Sequence, residues 1–441
     1  VSDVLAGVRY HESVITTVGG TPLVRLRKLA RDCACPVLAK LEYFNPGGSV
    51  KDRIALAMVE AAERSGALKP GGTIVECTSG NTGLGLAMVA AVRGYRAVFC
   101  MPDKVSGEKV NLLKSFGAEV LLSPTAVAPE HPDSYYKVAR RVTEERPGAV
   151  LMDQYHNPAN PDAHYRTTGP ELWEQTGGRI THFVAGLGTG GTVSGVARYL
   201  KEKKPDVKII GADPIGSILR HYHQTGEMSE AHTYKIEGVG EDFIPSTLDF
   251  SLIDEVLACS DRDGLNLTRR LAREEAIFVG GSSGMAAWVA LEVAKKAKPG
   301  DLVVVLLPDT GERYLSKVHN DDWMRDNHLL DLKVAHVADV MGRGRRVMPQ
   351  LLSVEVGDTL KKALQLVEQH EVTQIPVFRG KEVVGTLYEG DILKTVIADP
   401  SAVDRPVESL MDAPLPTVRS DEPMDHVTKL LATRNSAVLV Q

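Results

Sequence analysis

Short apolar runs alternate along most of the chain with longer stretches in which apolar residues recur every third or fourth position. PVLAKLEYF, TIVEC, RAVFCMP, THFVAGL, VKIIGAD and DLVVVLLPD have strand length, and glycine-containing turns follow them. From Ser49 onward Ile54, Ala57, Met58, Ala61 and Ala62 mark a helix, and LGLAMVAAVRGY marks another. Strand, glycine-rich turn and helix in alternation predict an α/β fold with parallel sheets and crossover helices. Residues 153–175 read as a polar loop leading into a helix, and EEAIFV as a further short strand.

The pattern changes near residues 326–340, where the glycine turns stop and an internal repeat begins. Residues 347–378 and 413–441 share the order strand, turn, helix, strand, the helix starting after Asp358 in one copy and Asp421 in the other. The first copy continues through KEVVGTLYEGDILKTVI. The second does not, which would leave a sheet edge uncovered, so its natural end is expected beyond Gln441.

At 441 residues, with 43% hydrophobic and 24% charged positions, two or three globular domains are expected. A net charge of -6 without long basic runs excludes a dedicated nucleic-acid binder and leaves small molecules as expected partners. Cys33, Cys35, Cys77, Cys100 and Cys259 are spaced too irregularly for a disulfide framework, which fits a reducing compartment. Residues 1–18 show no apolar stretch behind a basic start, and no run approaches ~18 apolar residues, so a cytoplasmic protein without membrane association is expected. With no initial Met, the true start is expected upstream of Val1.

Lys51, in NPGGSVKDR, lies in the first turn of a helix, whose positive end disfavours an ammonium and favours a nucleophilic amine. Taken alone, such a lysine is more often a solvated charge. A Walker loop is excluded, because Asp52 follows the lysine. TSGNTG sets hydroxyls, an amide and backbone N–H groups at a helix start, either as an anion site or as a plain N-cap. Gly186, Gly188 and Gly191 satisfy G-x-G-x-x-G, and Asp213 ends the next strand, so a nicotinamide dehydrogenase competes with a site for one isolated phosphate. EGVGEDF brings Glu237, Glu241 and Asp242 around a glycine turn. Ser282 and Ser283 of GGSSG either cap a helix or serve a site.

With NPGGSVKDR, TSGNTG, GLGTGGT, EGVGEDFIP and GGSSG in order, residues 1–328 resemble the fold-type-II pyridoxal-phosphate enzymes of the cysteine synthase and cystathionine β-synthase family. That resemblance implies two parallel-sheet α/β lobes, the smaller at about 76–161. A linker at 329–340 would lead to a CBS-domain pair at 341–441, with repeat 1 at 341–397 and an incomplete repeat 2 at 407–441. It also implies pyridoxal 5'-phosphate in a Schiff base with Lys51, its ring hydroxyl bonded by Asn81 and its ring nitrogen by Ser282. Gly188, Thr189, Gly190, Gly191 and Thr192 would hold its phosphate, which displaces the dinucleotide reading. Thr78, Ser79, Thr82 and Gln154 would take a substrate carboxylate, with Tyr155 and Gly238 on the substrate side. A neutral hydroxyl at the ring nitrogen favours β-elimination over transamination, with Lys51 moving the α-proton.

Tyr155, where cysteine synthases carry phenylalanine, and the appended repeat tilt the resemblance towards the bacterial cystathionine β-synthase branch. L-serine and L-homocysteine would then give cystathionine through an aminoacrylate, with H2S released when cysteine replaces serine. Cysteine synthase chemistry, an activated serine ester plus sulfide, is the alternative. A ligand-sensing module with a vestigial catalytic part is a third reading, opposed by the intact Lys51 and Ser282. Glu241 stands where animal and yeast members have tyrosine. His11 without a cysteine before TPLVR, and KKPDVK in place of CPGC, imply neither haem nor a redox dithiol. Asp391 matches an adenosyl-ribose ligand of CBS domains, with Tyr388 replacing the usual Thr or Ser. S-adenosylmethionine binding and a purely stabilising repeat both stay open. The resemblance further implies a homodimer or higher homo-oligomer, and no metal site is expected.

Overall fold

The alternation read from the sequence builds two sheets in the first of the chain's two compact units, Val1–Leu330 and Asp331–Gln441. The computed structural model describes residues 8–78, 80–103, 105, 107–124, 127, 131–330, 336–341, 351–432 and 437–441. Strands β1 (Leu23–Arg25) and β2 (Val37–Leu41) open the larger sheet. β3 (Thr73–Cys77), β4 (Arg96–Pro102), β5 (Glu119–Ser123) and β6 (Ala149–Leu151) form the smaller one. The chain then returns to the larger sheet with β7 (His182–Gly186), β8 (Lys208–Pro214), β9 (Glu255–Cys259) and β10 (Val303–Leu307).

The larger sheet runs β1-β2-β10-β7-β8-β9 and is parallel except for the antiparallel edge strand β1, while the smaller runs β5-β4-β3-β6 and is parallel throughout. Every side chain of β10 is buried, since a central parallel strand is covered on both faces; hence VVVLL shows no alternation. Parallel strands bring their C-terminal ends to one side, where ligands of open α/β sheets bind. The motif loops after β2, β3, β6, β7 and β10 all leave from those ends.

Helix packing explains two glycines. A Cβ on Gly85 would lie 2.9 Å from the Cβ of Ala55, where the helices Asn81–Arg93 and Lys51–Arg64 cross. A Cβ on Gly195 would lie 2.1 Å from the backbone oxygen of Pro161. Gly195→Ala therefore forces two helices apart and is expected to cost about 1–3 kcal/mol, read as a lower thermal midpoint.

Two expectations are corrected. Residues 153–175 are mostly helical, as Ala159–Arg166 and Thr168–Gln175. Pro161 and Pro170 stand in the first turns, where a missing N–H breaks no helical bond, so the polar, proline-rich stretch misread as a loop. EEAIFV forms no strand: Ala276 turns with φ 57 after a helix, and Val279 makes only an isolated bridge to Thr310.

In the second unit β11 (Val354–Glu355), β12 (Gln374–Arg379) and β13 (Glu382–Tyr388) form one sheet, and the helices Leu360–His370 and Glu389–Ala398 add Leu360, Ala363 and Ile392 to its core. β14 (Thr417–Val418) and β15 (Leu439–Val440) pair in parallel around the helix Met424–Ala432, repeating the order of the first copy.

Candidate active site

Beyond β2 the chain turns back through Asn45, Gly47 and Gly48 and enters the helix Lys51–Arg64 at Lys51 itself. Asp52 closes this turn by accepting the Gly47 N–H at 2.6 Å, and a Cβ on Gly47 would lie only 2.5 Å from Asp52 Oδ1. Arg53 anchors the helix start by bonding Glu42 at 2.7 and 2.9 Å and Glu171 at 2.7 and 2.8 Å. Lys51 shares a cavity with Gly186, Gly188, Thr189, Gly190, Thr192, Gly238 and Pro308. Protein atoms crowding its side chain push the amine below the ordinary lysine value, against the opposing charges of Asp309 and Glu241. Burial acts here more strongly than any other cause, and the sequence showed only the helix end.

The glycine turn after β7 supplies the cavity's donors. The helix Gly191–Lys203 starts from Gly190 at φ 81, with no side chain capping its free N–H groups. A Cβ on Gly188 would sit 2.9 Å from the Gly238 carbonyl oxygen, and one on Gly190 2.3 Å from the Leu248 side chain. The hydroxyls beside the turn are held from behind. Asn160 Nδ2 donates to Thr189 Oγ1 at 3.2 Å, and His164 Nε2 meets Thr192 Oγ1 at 3.1 Å. Burial, then the charges of Arg53 and Lys51, keep His164 neutral. Uncapped N–H groups, two threonine hydroxyls and a deprotonatable amine in one cavity fit a cofactor bearing a phosphate and a carbonyl. Asp213 does not serve a ribose: it is buried, and its Oδ2 accepts the Arg220 N–H at 2.9 Å.

The remaining residues named from the sequence divide. Thr82 donates to Gln154 Oε1 at 2.7 Å, and Gln154 Nε2 donates to the Cys77 carbonyl at 3.3 Å, so the loops after β3 and β6 are joined behind the proposed carboxylate site. Thr78 Oγ1 accepts the N–H groups of Gly80 at 3.1 Å and Gly83 at 3.3 Å; part of its role is therefore the capping considered for this motif. Ser79 lies outside the described residues. Asn81 is bonded by Asp309 and Arg313. Ser282 is buried, and no side chain caps its helix, which begins from Gly280; the capping alternative for Ser282 and Ser283 is thereby removed. Gly238 takes φ 79 in the cavity wall. Tyr155 packs edge-on against Phe243 at 5.1 Å. Asp391, in the second unit, is exposed in the first turn of a helix, where the helix dipole alone suits an acid.

Glu241 is the least expected group. Burial, then repulsion from Asp242, raises its carboxyl to about 8, with Tyr155 and Lys51 opposing. Sequence reasoning missed Asn160 and His164, which sit in the stretch read as a loop. It also missed Thr247, whose hydroxyl donates to the Tyr155 carbonyl at 3.1 Å, and Asp309. The position of Asp309 just past a parallel strand was the available signal.

Residues 14–309 match the family model for pyridoxal-phosphate dependent enzymes, and residues 337–398 match the CBS domain. The cystathionine beta-synthase of Dictyostelium discoideum is 40% identical over 411 residues, 91% of this chain and 82% of that protein. The cysteine synthase of Staphylococcus aureus is 47% identical over 306 residues, 69% of this chain and 96% of that protein. The solved O-acetylserine dependent cystathionine beta-synthase of Helicobacter pylori has a TM-score of 0.65 at 37% identity, covering 70% of this chain and 99% of that one. The chain belongs to the pyridoxal-phosphate-dependent enzyme family of the cystathionine β-synthases and cysteine synthases, and it adds a CBS domain.

Proposed function

We propose that this chain condenses L-serine with L-homocysteine by β-replacement, giving cystathionine, and releases H2S when cysteine takes the place of serine. Pyridoxal phosphate, held by Lys51 and the turn at 188–192, supplies a ring that takes up the charge left at an amino acid's α-carbon. The protein's part is positional and protolytic. The loops carrying Thr78, Thr82 and Gln154 bind the substrate carboxylate and fix which α-bond faces Lys51. The Lys51 amine, its basicity lowered by burial, accepts the α-proton and later returns one. Ser282 offers a neutral hydroxyl rather than a carboxylate to the ring nitrogen.

Glu241 carries the choice of acceptor. It lies two residues beyond Val239, which lines the cavity, and is close enough to Lys51 for their charges to act on each other. An amino-acid thiol brings an ammonium group that a carboxylate can bind; sulfide brings none. Glu241→Gln is therefore expected to raise KM for homocysteine roughly tenfold while leaving turnover with sulfide within about twofold. Equal losses with both acceptors would remove Glu241 from this role.

The carboxyl at about 8 also sets a pH dependence. Binding an ammonium requires the ionised acid, so KM for homocysteine falls as pH rises from 6 towards about 8, and Glu241→Gln loses that component. The likeness to the Staphylococcus aureus cysteine synthase and to an O-acetylserine dependent enzyme supports a second reading in which the donor is an activated serine ester. Rates with serine and O-acetylserine, each paired with homocysteine and with sulfide, separate the readings; preference for O-acetylserine plus sulfide selects the second.

A further inference from the structure

Asn81 is held at both ends of its amide. Arg313 Nη1, which can only donate, meets Asn81 Oδ1, while Asn81 Nδ2 donates to Asp309 Oδ2 at 2.8 Å. The two ends of an amide are alike in shape, so its polarity follows from its neighbours. A guanidinium on one side and a carboxylate on the other admit one polarity. The amide nitrogen carries two hydrogens, of which Asp309 takes one and leaves the second.

Asp309 is fixed in turn. Tyr314 donates to its Oδ2 at 2.6 Å, and its backbone bridges Ser49 and accepts the Gly280 N–H at 3.3 Å. A Cβ on Gly280 would lie 2.5 Å from Asp309 Oδ1. Arg313 also bonds the Gly47 carbonyl. Asp309 and Arg313 thus join the loops that carry Lys51, Asn81 and Ser282.

We infer that Asp309 and Arg313 are positioning residues that lock the polarity of the Asn81 amide, so that the cofactor's ring hydroxyl meets an N–H donor and not a carbonyl oxygen. The inference rests on Asn81 being the partner of that hydroxyl. A donor there favours the deprotonated ring oxygen, whose bound form absorbs in the visible; a carbonyl oxygen favours the protonated, near-ultraviolet form.

Absorbance spectra of the holoprotein at fixed pH test this in Asp309→Asn and Arg313→Gln, each of which releases one side of the lock. Each is expected to lower the ratio of visible to near-ultraviolet absorbance by about threefold or more, and to have no further effect in an Asn81→Ala background. Unchanged ratios in both variants, with a fall in Asn81→Ala, overturn the lock and leave the Asn81 reading standing. An unchanged ratio in Asn81→Ala overturns that reading and the lock with it. A fall that persists undiminished in the Asn81→Ala background assigns both residues a merely structural role and overturns the inference.

Discussion

Lys51→Ala is expected to lower turnover in the proposed β-replacement by about 10³-fold or more, because in that reading one substitution removes both the proton carrier and the covalent tether of the cofactor. The loss appears in kcat with serine and with any activated serine ester, since the same proton must move in each case. Stability of the apoprotein should not fall. Among the described residues the Lys51 side chain makes no hydrogen bond or ion pair, and its burial disfavours the charged amine, so, with the cofactor removed from both, the variant's melting midpoint is expected to match or exceed that of the parent. A small primary amine added to the variant should restore part of the rate, which a misfolded site would not allow. Retention of a tenth or more of the activity would remove Lys51 from the chemistry.

Arg53→Met has the largest expected effect on stability. The Arg53 and Glu42 side chains are 1% and 0% exposed, and Arg53 also grips Glu171, so the substitution leaves a carboxylate buried without its main counter-charge. Breaking such a pair from one side costs about 3–5 kcal/mol. Burial alone would raise Glu171, yet Arg53, Lys40 and the Gly20 N–H together bring it from 4.5 down to about 2. Glu42 is also lowered: burial is outweighed by Arg53, Thr21 and Lys40. Carboxyls depressed on folding contribute stability that is complete above 4.5 and is lost as pH falls through about 2. The contributions of Glu42 and Glu171 to the parent's stability therefore hold from pH 7 to 5. In Arg53→Met, Glu42 is left to rise and to take up a proton in the folded state, so the gap to the parent narrows on acidification over that interval. Chemical denaturation at pH 7 and pH 5 reads both effects, and a gap that widens towards pH 5 would contradict the assigned charge state of Glu42.

Much of the fold and of the candidate site was legible because the residues that meet in the cavity stand in short local motifs. Glycines that permit a backbone turn to approach a phosphate, and threonines beside them, declare themselves in GTGGT without knowledge of the fold. Strand runs such as VVVLL likewise announce a central parallel strand. What escaped depends on distance in the chain. Asn160 and His164 act on Thr189 and Thr192 from a segment whose prolines sit at helix starts and so looked like loop signals. Asp309 meets Asn81 across 228 positions, and no local pattern records that pairing. The depressed amine of Lys51 was inferred from the helix end, but its main cause is burial among loops that come together only when both sheets have formed.

The most direct measurement is reduction of the holoprotein with borohydride followed by peptide mapping. The expected product is a single phosphopyridoxyl group, on the peptide that contains Lys51. Label on Lys40 or Lys109 instead, or no covalent label on a protein that binds the cofactor and turns over, would overturn the assignment of Lys51.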